Sequence, residues 1–142
     1  MFTKIKLKNF RSFGEIEFDL SSKNGTPKNF AVIFGENGAG KSNLISAFVF
    51  LHEIFSTMNI RDIYEELLNE RAVYIDENME IKRKEFLKAG LRDMHAIIAD
   101  YKMVECEDPI TAEFEFQING NNGKYMISLN EDEIIYEKLE FM

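Results

Sequence analysis

Polar and apolar residues alternate over the first twenty positions. Thr3, Ile5 and Leu7 interleave with Lys4, Lys6 and Lys8, and further on Ile16, Phe18 and Leu20 oppose Glu15, Glu17 and Asp19. A period of two sends successive side chains to opposite faces of an extended chain, so residues 2–8 and 15–20 predict two strands, joined as a hairpin through Asn9–Gly14. A loop over Ser21–Lys28 carries the turn cluster Asn24-Gly25-Thr26-Pro27. The pattern then changes. Phe30-Ala31-Val32-Ile33-Phe34 is a short unbroken apolar run, which reads as a strand buried on both faces in a parallel sheet. Beyond Ser42, the residues Leu44, Ile45, Phe48, Val49, Leu51, Ile54 and Phe55 predict a helix that is apolar nearly all round and so lies between layers.

From about Asn59 to Val104 charged residues rise at helical spacing. Ile63 and Leu67, with Arg71 next in register, are followed by Phe86, Leu87, Leu91, Met94, Ile98 and Tyr101, and together they predict two or three amphipathic helices. Asp108-Pro109 breaks the pattern. Ile110, Ala112, Phe114, Phe116 and Ile118 then alternate with Thr111, Glu113, Glu115, Gln117 and Asn119, the clearest strand of the chain. Asn119-Gly120-Asn121-Asn122-Gly123 turns the chain back through Lys124–Leu129, and a further strand begins near Glu133 and runs to Phe141. The expectation is an α/β fold with a mixed sheet: hairpin, strand and helix over 1–58, a helical insertion over 59–104 and antiparallel strands over 110–142. The sequence carries no internal repeat and no low-complexity tract.

Composition narrows the class. With 142 residues, 45% of them hydrophobic, the chain buries one ordinary core, as a single domain or a large piece of one. A formal charge of −8 argues against a free-standing nucleic-acid binder, which carries a basic surface. Cys106 is the single cysteine, so there is no internal disulfide and no cysteine cluster for a metal, in keeping with a reducing cytoplasm. The N-terminal alternation lacks the apolar core of a secretory signal, and no uncharged run is long enough to span a bilayer. A cytoplasmic protein without a membrane partner is the expectation.

The chemistry lies between the apolar run and the helix. Gly35-Glu36-Asn37-Gly38-Ala39-Gly40-Lys41-Ser42 fits the pattern G-x-x-x-x-G-K-[ST] at every fixed position, in the order strand, glycine loop, helix. Glycines let the backbone take positive φ and approach phosphate oxygens, while loop N–H groups and the helix N-terminus offer partial positive charge to an anion. Lys41 would reach the β and γ phosphates and Ser42 would ligate magnesium, so the motif implies a nucleoside triphosphate with Mg²⁺.

Ile5-Lys6-Leu7-Lys8-Asn9-Phe10-Arg11-Ser12-Phe13, Ile16-Glu17-Phe18 and Phe34–Leu44 together resemble the N-terminal lobe of SMC/RecF-type ATPase heads of the ABC class. The later strands, Phe114–Gly120, Lys124–Leu129 and Ile135–Leu139, look like those of bacterial AAA family ATPases related to the overcoming-lysogenization-defect group. The resemblance implies a P-loop head that binds ATP and Mg²⁺ between two heads of a homodimer and hydrolyses it there. It extends the expected partners to DNA and an effector nuclease, in DNA maintenance, repair or phage defence. It also places Arg11 near the nucleotide, where the plainer reading is a loop arginine in solvent. The expected site is therefore Arg11 with Gly35, Glu36, Asn37, Gly38, Ala39, Gly40, Lys41, Ser42 and Asn43, with Lys41 as the catalytic cation.

Departures from the family pattern matter as well. No Leu-Ser-Gly-Gly signature is present, and Val73-Tyr74-Ile75-Asp76-Glu77 imitates the apolar strand ending in Asp-Glu but falls too soon after Lys41, in a charged helical region. Asp76 and Glu77 read as a solvated helix end. This stretch alone is thus expected to bind nucleotide weakly and turn it over poorly. Gln117, on the polar face of its strand, reads as solvated rather than as a magnesium contact, and His52 and His95 lack ligand-type neighbours at helical spacing. Lys82-Arg83-Lys84 with Lys88 and Arg92 reads as an ordinary charged helix face, diluted by Glu77, Glu80 and Glu85. Two other classes share the loop: a nucleotide-binding switch or scaffold without turnover, and a small P-loop kinase or GTPase, for which no Asn-Lys-x-Asp motif is present.

Overall fold

The computed structural model describes residues 1–69 and 94–141, and over 58–69 the backbone only. The elements are β1 (Phe2–Phe10), β2 (Phe13–Asp19), α1 (Lys41–Asn69), α2 (Met94–Tyr101), β3 (Ile110–Ile118), β4 (Asn121–Leu129) and β5 (Ile134–Phe141). The strands form one sheet in the order β2-β1-β3-β4-β5, and every neighbouring pair is antiparallel.

Alternation produces this sheet with one apolar and one charged face. Ile5 lies opposite Phe18 and Phe114, Leu7 opposite Ile16 and Ala112, and Ala112 opposite Ile127. These residues form one core with Leu44, Ala47, Phe50 and Ile54 of α1 and Ile97, Ile98 and Tyr101 of α2. Within it Phe10, Phe50 and Tyr101 form a trio of rings, with centroids 5.2–5.5 Å apart. On the opposite face charges form a ladder across four strands. Lys4 and Lys6 pair with Glu17 at 3.3 and 3.6 Å, and Glu113 takes Lys6 at 3.3 Å and Lys124 at 2.9 Å. Burial works to raise the Glu113 carboxyl, but the bonds and charges of Lys124 and Lys6 outweigh it and hold the group below its ordinary value.

Both tight hairpins use left-handed residues. Phe10 pairs with Phe13 across Arg11-Ser12, a tighter turn than the segment Asn9–Gly14, and Arg11 has a φ of 51°. Ile118 pairs with Asn121 across Asn119-Gly120, where both φ angles are positive, at 52° and 84°, as a turn matched to strand twist requires.

Four expectations are corrected. Phe30–Phe34 is not a strand: it pairs with no described strand and lies exposed. The described sheet is accordingly antiparallel rather than mixed. An apolar run states that it can be buried, but a parallel strand also needs a neighbour reached by a crossover, and none of the described strands provides one. Nor is α1 covered on several faces. Leu44, Ala47, Phe50, Leu51 and Ile54 are buried, whereas Ile45 and Val49 face outward and Phe55 is half exposed with its ring 5.0 Å from that of Tyr125. The helix also continues past residue 58 to Asn69.

Candidate phosphate-binding site

α1 begins at Lys41 and the loop Gly35–Gly40 leads into it. Gly38 and Gly40 have φ angles of 89° and 83°, a region that L side chains rarely occupy. The Ala39 N–H donates to the Glu36 carbonyl at 3.2 Å, and the N–H groups of Asn43 and Leu44 donate to the Gly40 carbonyl at 2.9 and 3.3 Å. Gly40 is therefore the N-cap. Having no side-chain oxygen, it leaves the Lys41 and Ser42 N–H groups to be satisfied from outside, and the first turn contains no acidic residue to repel an anion. Lys41 Nζ folds back over the loop and donates to the carbonyls of Gly35, at 2.6 Å, and Glu36. One ammonium, left-handed glycines and a helix start capped only by glycine thus meet in a single exposed loop, a set of groups suited to phosphate. Ser42, exposed on the first turn, presents the hydroxyl suited to a hard cation.

The turn between β1 and β2 lies against this loop. Asn43 Nδ2 donates to Ser12 Oγ at 2.6 Å, and a Cβ placed on Gly40 would stand 2.6 and 2.9 Å from the Phe13 ring and 3.5 Å from Ser12 Oγ. The other side of the turn is bound to α2 and the segment after it. The Arg11 N–H donates to the Tyr101 carbonyl at 2.7 Å, the Met103 N–H to the Asn9 carbonyl at 3.0 Å, and Asn9 Nδ2 to the Pro109 carbonyl at 2.9 Å. The Arg11 guanidinium stacks 4.8 Å above the Tyr101 ring, with a buried Nε that has no hydrogen-bond partner among the described residues. With Ser12, Asp100, Lys102 and Met103, Arg11 lines an open groove of about 780 Å³.

Sequence reasoning put Asn9–Phe13 near the loop but missed how it touches: Phe13 on Gly40, Ser12 on Asn43 and Tyr101 beneath Arg11. Tyr101 read as one apolar helix position among several, and no local signal marks it as the seat of an arginine. Among the other residues singled out, Gln117 Nε2 donates to Asn122 Oδ1 at 3.1 Å across the β3–β4 pair. His95 Nδ1 lies 3.0 Å from the Glu131 carbonyl and 3.6 Å from Asp132 Oδ1. No group of three His, Cys, Asp or Glu residues able to hold a metal is present among the described residues. Asp76, Glu77, Lys82, Arg83, Lys84, Lys88 and Arg92 lie outside the described residues. No described helix is long and apolar enough to cross a membrane.

Comparison with known proteins gives two results. The family pattern described as an AAA domain matches residues 4–141. The chain is also similar to the chromosome partition protein Smc of Methanocaldococcus jannaschii, 46% identical over 48 residues. That stretch is 34% of this chain and spans only 4% of the Smc protein.

Proposed function

The chain belongs to the AAA domain family, and from that premise we propose that it is the nucleotide-binding part of an SMC-like P-loop ATPase head that takes ATP with Mg²⁺ on Gly35–Ser42. The observation that carries this reading is the loop itself: left-handed Gly38 and Gly40, a glycine N-cap and the Lys41 ammonium bonded to the Gly35 and Glu36 carbonyls. The loop N–H groups would hold the phosphates and Lys41 would answer the charge of the β and γ groups. Asn37 lies within the loop and Asn43 directly after it, Ser42 would hold magnesium, and Arg11 would offer a planar donor fork from the adjoining turn. Bound magnesium would supply charge neutralisation at the transferring phosphoryl group.

In the whole protein, ATP would be sandwiched between two such heads and hydrolysed in line, with a carboxylate from a second lobe positioning the water. The exposed apolar residues of Phe30–Phe34 and the outward face of α1 support a reading in which further polypeptide covers them. Work on DNA, in maintenance, repair or phage defence as in the overcoming-lysogenization-defect group, is the biological setting this reading favours.

Titration calorimetry with Mg-ATP and Mg-GTP tests the site. Saturable ATP binding that is weakened in a folded Lys41→Ala variant is the expected result. Equal affinity of the two proteins would refute the phosphate-loop assignment.

A further inference from the structure

The phosphate loop is attached to the fold unevenly. At its start, Phe30–Phe34 pairs with no described strand, and around Gly38 a Cβ would meet nothing within 4 Å. At its end, Gly40 has Phe13 Cε1 and Cζ at 2.6 and 2.9 Å from where a Cβ would lie, closer than real Cβ contacts come. Phe13 is itself fixed. It opens β2 opposite Phe10, and its ring meets that of Phe18 at 6.1 Å in an edge-on arrangement. Next to it, Ser12 accepts the Asn43 amide from the first turn of α1.

We infer that Phe13 is a positioning residue of the phosphate loop: its ring is the wall against which Gly40 holds the left-handed backbone that leaves the Lys41 and Ser42 N–H groups of α1 open to a ligand. The ring does not touch phosphate. It fixes the residue whose carbonyl starts the helix, and the direction of the Lys41 and Ser42 N–H groups follows from that start. Ser12 and Asn43 lock the same junction by a side-chain bond. What this site takes, a nucleoside triphosphate with magnesium, rests on the function proposed above, whereas the contact between Phe13 and Gly40 does not.

The test uses two readouts on the 142-residue chain. The first is the amide spectrum without nucleotide, in which Phe13→Ala should displace the Gly40, Lys41 and Asn43 resonances while those of β3 and β4 stay in place. Phe13→Leu, which keeps an apolar side chain at the wall, should return them most of the way. The second is Mg-ATP affinity, expected to fall about tenfold in Phe13→Ala, the size typical of losing an outer group that orients a binding group, and to recover in Phe13→Leu. Should Phe13→Ala not fold, Gly40→Ala takes its place: it carries the strain of a φ of 83° whatever its surroundings, but its Cβ also meets the ring, so combining it with Phe13→Leu should give less than the sum of the two effects. Unmoved loop resonances, or strictly additive changes, would overturn the inference. So would an unchanged affinity in a chain that binds ATP. A wild-type chain that binds no ATP while Phe13→Ala still displaces the loop would refute the nucleotide reading and support the positioning role.

Discussion

Phe114 and Phe34 are the same residue in two runs that both predict strands, yet Phe114 is 0% exposed and Phe34 is 88% exposed. The first lies in β3 between β1 and β4, with its ring 5.8 Å from that of Phe2. The second leads into the glycine loop without a described strand beside it. The sheet packs its apolar face against α1 and α2, while the segment that leads into the glycine loop is held chiefly at its helix end. Apolarity made both segments capable of burial. Only the presence of neighbouring strands decided which was buried.

The sharpest way to break that contrast is to remove both rings. Phe114→Ala should cost about 3–5 kcal/mol in denaturant unfolding, because it empties a filled core position, whereas Phe34→Ala should stay within about 0.5 kcal/mol. Similar losses at the two positions would show that Phe34 is buried in solution. Lys41→Ala reverses the ranking. Stability should hardly change, but ATP affinity should fall by the ~1.5–3 kcal/mol of a charge-assisted bond, roughly ten- to a hundredfold by calorimetry.

Gly38→Ala sharpens the comparison inside the loop. Space around Gly38 is open, so the whole penalty is the backbone strain of a φ of 89°, about 1–2 kcal/mol, read as weaker nucleotide affinity if the loop relaxes and as a lower unfolding midpoint if it does not. The smallest effect belongs to the charged face of the sheet. The folded carboxyl of Glu113 lies below its ordinary value of 4.5, so the stabilisation it gives is complete above that value and is lost as pH falls through the lowered one. Because these ion pairs are partly exposed, the loss should be under about 1 kcal/mol, detectable as a difference in acid unfolding between the wild type and Glu113→Gln that salt diminishes.

The sequence by itself determined the loop and most of the strands. Gly38 and Gly40 turn the chain into α1 through their own backbone freedom, and the alternation of Ile110–Ile118 with its Asn119-Gly120 turn specifies a hairpin between adjacent segments. These are local properties, and local order is what a sequence pattern encodes. The tertiary structure alone decided that β1 lies between β2 and β3, that Tyr101 sits beneath Arg11, that Phe13 bears on Gly40 and that Phe30–Phe34 goes unpaired among the described strands. Each of these depends on which distant surface fills a given space. Periodicity names the face a residue presents, but the partner on that face is chosen by the packing of the whole chain.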